Sequence, residues 1–241
     1  MSARLLLFDI DGTLVLTGGA GKRAMDRAFG ELFAIPDAFV EVSMAGRTDR
    51  WLVEGALTAH GLEPTADRLE AFRSRYLALL EATVADTGTG RRGVMPGVPG
   101  VLARLGAAAH CHLALLTGNY AAGARIKLEH FGLWEHFAWG AFGDDHADRD
   151  VLAQAAVAEA LARGIPLANP ADAVVIGDTP FDIACARAAG ARAVAVATGH
   201  HSLDELRAFE PDLALADLSD VDRLLTFIDG HSAPNVLATT R

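Results

Sequence analysis

Short apolar runs and amphipathic stretches alternate along most of the chain. Runs at 4–8, 112–116, 137–141, 173–176, 193–197 and 213–215 are apolar at consecutive positions and end at or near Gly, Asp or Thr. Consecutive apolar residues mark strands buried on both faces. Between most of these runs lie stretches of helical periodicity, at 97–105, 121–131, 150–163 and 181–189. Strands alternating with helices predict an α/β fold, a parallel sheet covered on both sides. This unit takes in residues 1–16 and 92–241.

Residues 17–91 carry a different pattern. Helical periodicity appears at 22–33, 49–60 and 66–85, and in the last of these Leu69, Phe72, Tyr76, Leu79, Leu80 and Val84 share one face. No strand pattern lies among them. Both edges are rich in breakers: Thr17-Gly18-Gly19-Ala20-Gly21 on one side, Thr87-Gly88-Thr89-Gly90 and Gly93 on the other. The expectation is a small helical domain inserted after the first strand, entered and left through two glycine-containing hinges.

Composition narrows the function classes. The 241 residues are 51% hydrophobic, enough for a buried core, so global disorder is excluded. With 21 Lys+Arg against 31 Asp+Glu, the formal net charge of −10 argues against a nucleic-acid or anionic-membrane surface. Two cysteines, Cys111 and Cys185, make no disulfide framework and suit a reducing compartment. The first apolar run is cut short by Asp9 and Asp11, unlike a signal peptide, and no apolar stretch approaches the ~20 residues that span a bilayer. The expected location is the cytoplasm.

Three strand ends carry candidate chemistry. Asp9-Ile10-Asp11-Gly12-Thr13 follows the first strand. Two carboxylates at the carboxyl end of a strand in an open α/β sheet stand where such sheets bind ligands. They repel each other unless a cation intervenes, and Mg²⁺ suits carboxylates beside phosphate groups. Two solvated acids at a strand end would leave the same letters. The second site is Thr117-Gly118-Asn119, where a hydroxyl and backbone N–H groups before a helix can hold phosphate oxygens. The same triplet is also an ordinary turn. The third runs from Val174 through Gly177-Asp178-Thr179-Pro180-Phe181 to Asp182. Asp178 can reach the cation of Asp9; Asp182, on a first helical turn, also suits a helix cap.

Together these motifs resemble the haloacid dehalogenase superfamily of phosphohydrolases, and most closely its phosphoglycolate-phosphatase-like branch. The resemblance implies a Rossmann-like core, with the inserted helices as a cap. It implies that Asp9 is the nucleophile and forms an aspartyl-phosphate, and that Asp11 is the general acid/base. It implies Mg²⁺ held by Asp9, the Asp11 carbonyl and Asp178, with Asp182 behind them, and a phosphoryl group bound by Thr117, Gly118 and Asn119. The expected partner is a small anionic phosphorylated substrate, phosphoglycolate-like or a sugar phosphate. A phosphosugar mutase, a phosphonate hydrolase and a non-catalytic binding protein on the same fold are the alternatives.

The sequence departs from the family pattern at one point. Most relatives carry a Lys-Pro pair after the third strand; here the stretch reads Gly143-Asp144-Asp145-His146-Ala147-Asp148-Arg149-Asp150. Arg149 is the expected catalytic cation, since a guanidinium can grip phosphate or carboxylate through two bonds. Lys127 is the rival, but its position inside a helical stretch reads as an exposed side chain. In the inserted segment, Ala45-Gly46-Arg47-Thr48-Asp49 is the expected substrate-facing loop, with Arg47 for a substrate anion, although Thr48 also suits a helix N-cap. Gly18-Gly19-Ala20-Gly21-Lys22 lacks the full nucleotide-loop pattern. His110-Cys111-His112 alternates across a strand and makes a poor metal site, while His200-His201 reads as a solvated loop.

Overall fold

The computed structural model describes residues 3–86, 88, 90–144 and 146–230. Thr87 and Thr89 of the second breaker-rich edge, and Asp145, lie outside the described residues. The chain opens with β1 (Arg4–Phe8) and β2 (Val15–Thr17), then α1 (Ala20–Phe33), α2 (Asp49–Ala59) and α3 (Ala66–Ala85). It continues with β3 (Arg92–Val94), α4 (Val98–Gly106), β4 (Cys111–Leu116), α5 (Ala121–His130), β5 (Gly140–Ala141) and α6 (Arg149–Ala162). The last third contains β6 (Ala173–Gly177), α7 (Pro180–Ala188), β7 (Arg192–Val196), α8 (Leu203–Arg207), β8 (Leu213–Leu215) and α9 (Val221–Asp229).

Six parallel strands form one sheet in the order β5-β4-β1-β6-β7-β8. All five residues of β1 are buried, Leu5–Phe8 as apolar letters and Arg4 in an ion pair with Asp172. Alternation splits them between two cores. Leu6 and Phe8 pack with Val101 and Leu102 of α4, Ala124 and Leu128 of α5, and Leu224 of α9. Leu5 and Leu7 pack on the other face with Leu152 and Ala156 of α6 and Ile183 of α7. A third apolar cluster belongs to α1–α3, where Phe29, Val53, Leu57, Phe72 and Tyr76 meet, joined by Tyr120 from the start of α5.

The strand at 137–141 is shorter than its letters suggest. Only Gly140 and Ala141 pair with β4, because Phe137 turns inward against Phe8, ring centroids 5.8 Å apart. The two hinges are not independent linkers. β2 and β3 pair antiparallel, Thr17 opposite Arg92, and Gly18 N donates to Arg91 O at 3.0 Å. Three-residue strands are too short to show a period in sequence, which is why this ribbon is not predicted.

The helical unit docks on the sheet through backbone contact at one point. Asp49 N donates to Gly118 O at 2.7 Å. A Cβ on Gly118 would stand 2.1 Å from the Arg47 carbonyl oxygen and 2.8 Å from Thr48 Cα. No side chain fits there without parting the two backbones. Thr48 Oγ1 donates to Ala147 O at 2.8 Å, and Arg73 of α3 pairs with Asp144 at 2.8 Å. Gly118→Ala should therefore destabilise the protein by about 1–3 kcal/mol through overpacking. Urea denaturation of the two proteins measures it, and an unchanged midpoint would refute the close approach.

Candidate active site

Three loops converge at the carboxyl ends of adjacent central strands: 9–13 after β1, 117–120 after β4 and 178–182 after β6. Gly12 takes φ +90°, and a Cβ there would stand 2.4 Å from Asp178 Oδ2, so the β1 turn lies directly against the β6 turn. Thr198 Oγ1 donates to Gly12 O at 2.5 Å and Thr13 Oγ1 to Asp178 Oδ1 at 3.2 Å. These bonds hold the acidic turn in register with its neighbours.

Asp9, Asp178 and Asp182 form a buried cluster in which one oxygen from each lies within 4.8 Å of the others. They are 6%, 2% and 2% exposed. Burial pushes Asp9 up to about 6; Arg149 opposes the rise, and Asp182 and Asp11 add to it. Burial, with Asp9 and Asp182 beside it, drives Asp178 well above the usual carboxylate range. Carboxylates crowded in this way are short of positive charge, and hard oxygen donors suit a divalent cation. Asp182 is the most constrained of the three. Its Oδ2 accepts from Thr179 N at 3.0 Å and Thr179 Oγ1 at 2.7 Å, closing a capping box on α7, while Oδ1 accepts from Arg149 at 2.5 Å.

Arg149 is the first residue of α6, its helix capped by Asp148, and it is 8% exposed. Its Nη2 stands 3.1 Å from Asp9 Oδ1 as well as against Asp182. The sequence places a cation here without showing that it touches two acids from two other strand ends.

Lys127 requires a correction. It is 4% exposed rather than open to solvent. Its Nζ donates to Asp11 Oδ2 and to Asn119 Oδ1, both at 2.6 Å. The buried face of α5 consists of Gly123, Ala124, Lys127 and Leu128, so the small and apolar neighbours at helical spacing were the available signal. The Asp11 carboxylate therefore lies apart from the three-acid cluster, gripped by Lys127 and by Asn119 Nδ2 at 2.8 Å. Thr117, fully buried, accepts from Asn119 N at 3.3 Å and Asn119 Nδ2 at 2.8 Å.

Above these residues lies a cleft of about 630 Å³ that reaches the helical unit. Asp9, Asp11, Thr117, Gly118, Asn119, Lys127, Arg149 and Asp178 line its floor. Arg47 lines it too, but its guanidinium is stacked between the rings of Trp51 and Phe181, 4.2 and 4.3 Å from their centroids. Thr48 is the N-cap of α2, accepting from Trp51 N at 3.1 Å. His200, exposed, and His201, half-buried, stand at the rim of the cleft. Asp182 does not line the cleft; it acts from behind Arg149.

Asp49, not singled out in the sequence, also faces the cleft. Its Oδ2 accepts from Tyr120 N at 2.9 Å. Burial pushes it up to about 7, against the lowering effects of Lys127 and the Tyr120 N–H. Between an ordinary value of 3.8 and about 7 the folded chain binds the extra proton, so this group's contribution to stability falls as pH rises through that window. Asp49→Asn keeps an acceptor for Tyr120 and removes the charge. It should be more stable than the parent at pH 8, by on the order of 1–3 kcal/mol, with the gap closing towards pH 4. Urea midpoints at the two pH values measure this; a gap independent of pH would refute the raised value.

Comparison with known proteins identifies the family of the chain. Residues 3–190 match the model of the haloacid dehalogenase-like hydrolases. A Dickeya dadantii protein described as a phosphatase is 30% identical over 224 residues, 90% of this chain and 91% of that one. A phosphoglycolate phosphatase of Mesorhizobium japonicum is 31% identical over 220 residues, 90% of this chain and 92% of its own. Among solved structures, CbbY from Rhodobacter sphaeroides, in complex with phosphate, superposes with a TM-score of 0.69 at 20% identity, covering 91% of this chain and 96% of that one. That likeness shows the fold.

Proposed function

This chain belongs to the haloacid dehalogenase-like hydrolases, and on that premise we propose that it is a Mg²⁺-dependent phosphatase of small phosphate monoesters, acting through an aspartyl-phosphate. The observation that carries this reading is the Asp9–Asp178 pair, backed by Asp182 and with Arg149 on Asp9, facing a cleft whose other wall is the helical unit. Relatives named phosphoglycolate phosphatase, and the xylulose-(1,5)-bisphosphate complex of CbbY, support phosphate esters as the substrate class. Residues 17–91 act in this reading as the cap.

The donor set fits Mg²⁺, with the Asp9 and Asp178 carboxylates and the Asp11 carbonyl as its ligands. When bound, the ion would offset the charge that an anionic nucleophile and an anionic phosphoryl group bring together. Asp9 attacks phosphorus and Asp11 gives its proton to the departing alkoxide. Asp11 then takes a proton from water as that water attacks the aspartyl-phosphate, freeing inorganic phosphate and the Asp9 carboxylate. Lys127 and Asn119 hold Asp11 for both transfers. Thr117 accepts two bonds from Asn119, which leaves its own hydroxyl proton for a phosphoryl oxygen. Arg149 steadies Asp9 and meets the transferring group, oriented by Asp182.

A panel of small phosphate esters, assayed for phosphate release with Mg²⁺ and with chelator, tests the reading. Turnover should require the metal. Asp9→Asn should fall to background while the protein stays folded, since carboxylate repulsion is relieved. Turnover by that variant above a contaminant control would refute the covalent route.

Arg149→Ala should lower kcat and kcat/KM together by about 10²-fold or more, as loss of a fixed electrostatic donor does. Arg149→Lys should recover part of that loss. Steady-state kinetics within about twofold of the parent for both would remove Arg149 from the reaction and leave Lys127 as the catalytic cation.

A further inference from the structure

The floor and the roof of the cleft differ in chemistry. Every catalytic acid and cation named above lies on the floor. Beside its polar residues, the roof and side wall carry an apolar patch: Leu16 from β2, Met25 from α1, Val42 and Met44 from the loop before α2, and Leu52 from α2. Met25 and Leu52 are 1% and 3% exposed and belong to the core of the helical unit, so this part of the wall is rigid. Val42 and Met44 are half-buried and pack against that same core.

Two of the charged groups on this side already have partners. Lys22 pairs with Asp26 at 2.7 Å, and the Asp49 carboxylate accepts from Tyr120 N. The Arg47 guanidinium lies flat between two aromatic rings. Stacking covers the two faces of the guanidinium with apolar rings and leaves its N–H edge for a polar group.

Size points the same way. A volume of about 630 Å³ corresponds to roughly twenty waters at ~30 Å³ each. It falls in the range of pockets that enclose drug-sized molecules, which are lined mostly by apolar side chains with a few polar groups. Phosphoglycolate, with two carbons and a second anionic group, would leave most of the apolar wall wet.

We propose that the alcohol released by this enzyme carries an extended apolar body, an alkyl chain or ring, which packs under Leu16, Val42 and Met44 while the phosphoryl group meets Asp9. The proposal rests on the phosphatase reading and narrows its substrate class from small anionic esters to amphipathic ones.

The test is a series of straight-chain alkyl phosphates, ethyl, butyl and hexyl, whose leaving groups have nearly the same basicity. Phosphate release is measured with Mg²⁺, with phosphoglycolate in parallel. The expected result is a kcat/KM that rises about two- to fourfold per methylene, with hexyl phosphate above phosphoglycolate. Met44→Asp and Val42→Asp, both at half-buried positions, should each cut the hexyl-to-ethyl ratio by about tenfold. That ratio is internal to each variant, so a general loss of activity does not mimic it. A kcat/KM that ignores or falls with chain length, or a ratio that neither variant changes, overturns this proposal alone. No turnover of any ester overturns the phosphatase reading, and this proposal with it.

Discussion

The structure of the site depends on how negative charge is buried at the carboxyl ends of β1 and β6. Asp9, Asp178 and Asp182 are removed from water with a single guanidinium, Arg149, in direct contact with two of them. Burying unpaired carboxylates is costly, and the raised protonation of Asp9 and Asp178 expresses that cost. A site left short of positive charge favours a divalent cation. In the proposed reaction the same imbalance, costly to the resting fold, is what draws the metal in.

The parallel sheet makes this burial possible. β1 lies between β4 and β6, so the turns after three strands open at one edge. The two cations arrive from helices on opposite faces. Arg149 starts α6, which packs on the face of Leu5 and Leu7; Lys127 sits in α5, which packs on the face of Leu6 and Phe8. Each serves a different acid: Arg149 touches Asp9, and Lys127 touches Asp11. In the proposed reaction, nucleophile and proton carrier are thus held by separate charges.

The helical unit closes the site through backbone rather than through long side chains. Gly118 lets the segment around Arg47 and Thr48 lie directly on the β4 turn, and Gly46 lets it lie against Phe181 and Thr179. The two glycines let the helical unit approach the strand ends more closely than any larger residue would allow. The apolar patch of the roof is continuous with the core of the helical unit, since Met25 and Leu52 belong to both.

The sequence alone determined the α/β class, the helical insertion pattern and the three strand ends that carry Asp9, Thr117 and Asp178. These features are local: consecutive apolar letters make a buried strand, and a carboxylate at its end needs no distant partner to be noticed. Arg149 was legible as a cation near a helix start, but its two acids were not, because they come from residues far along the chain. Lys127 was misread for the same reason. A lysine in a helix looks solvated until the packing of α5 shows which face is inward. The β2–β3 ribbon, the parking of Arg47 between Trp51 and Phe181, and the raised Asp49 also belong to tertiary structure alone. Each depends on the distance between segments separated in sequence, and on how much water their meeting removes.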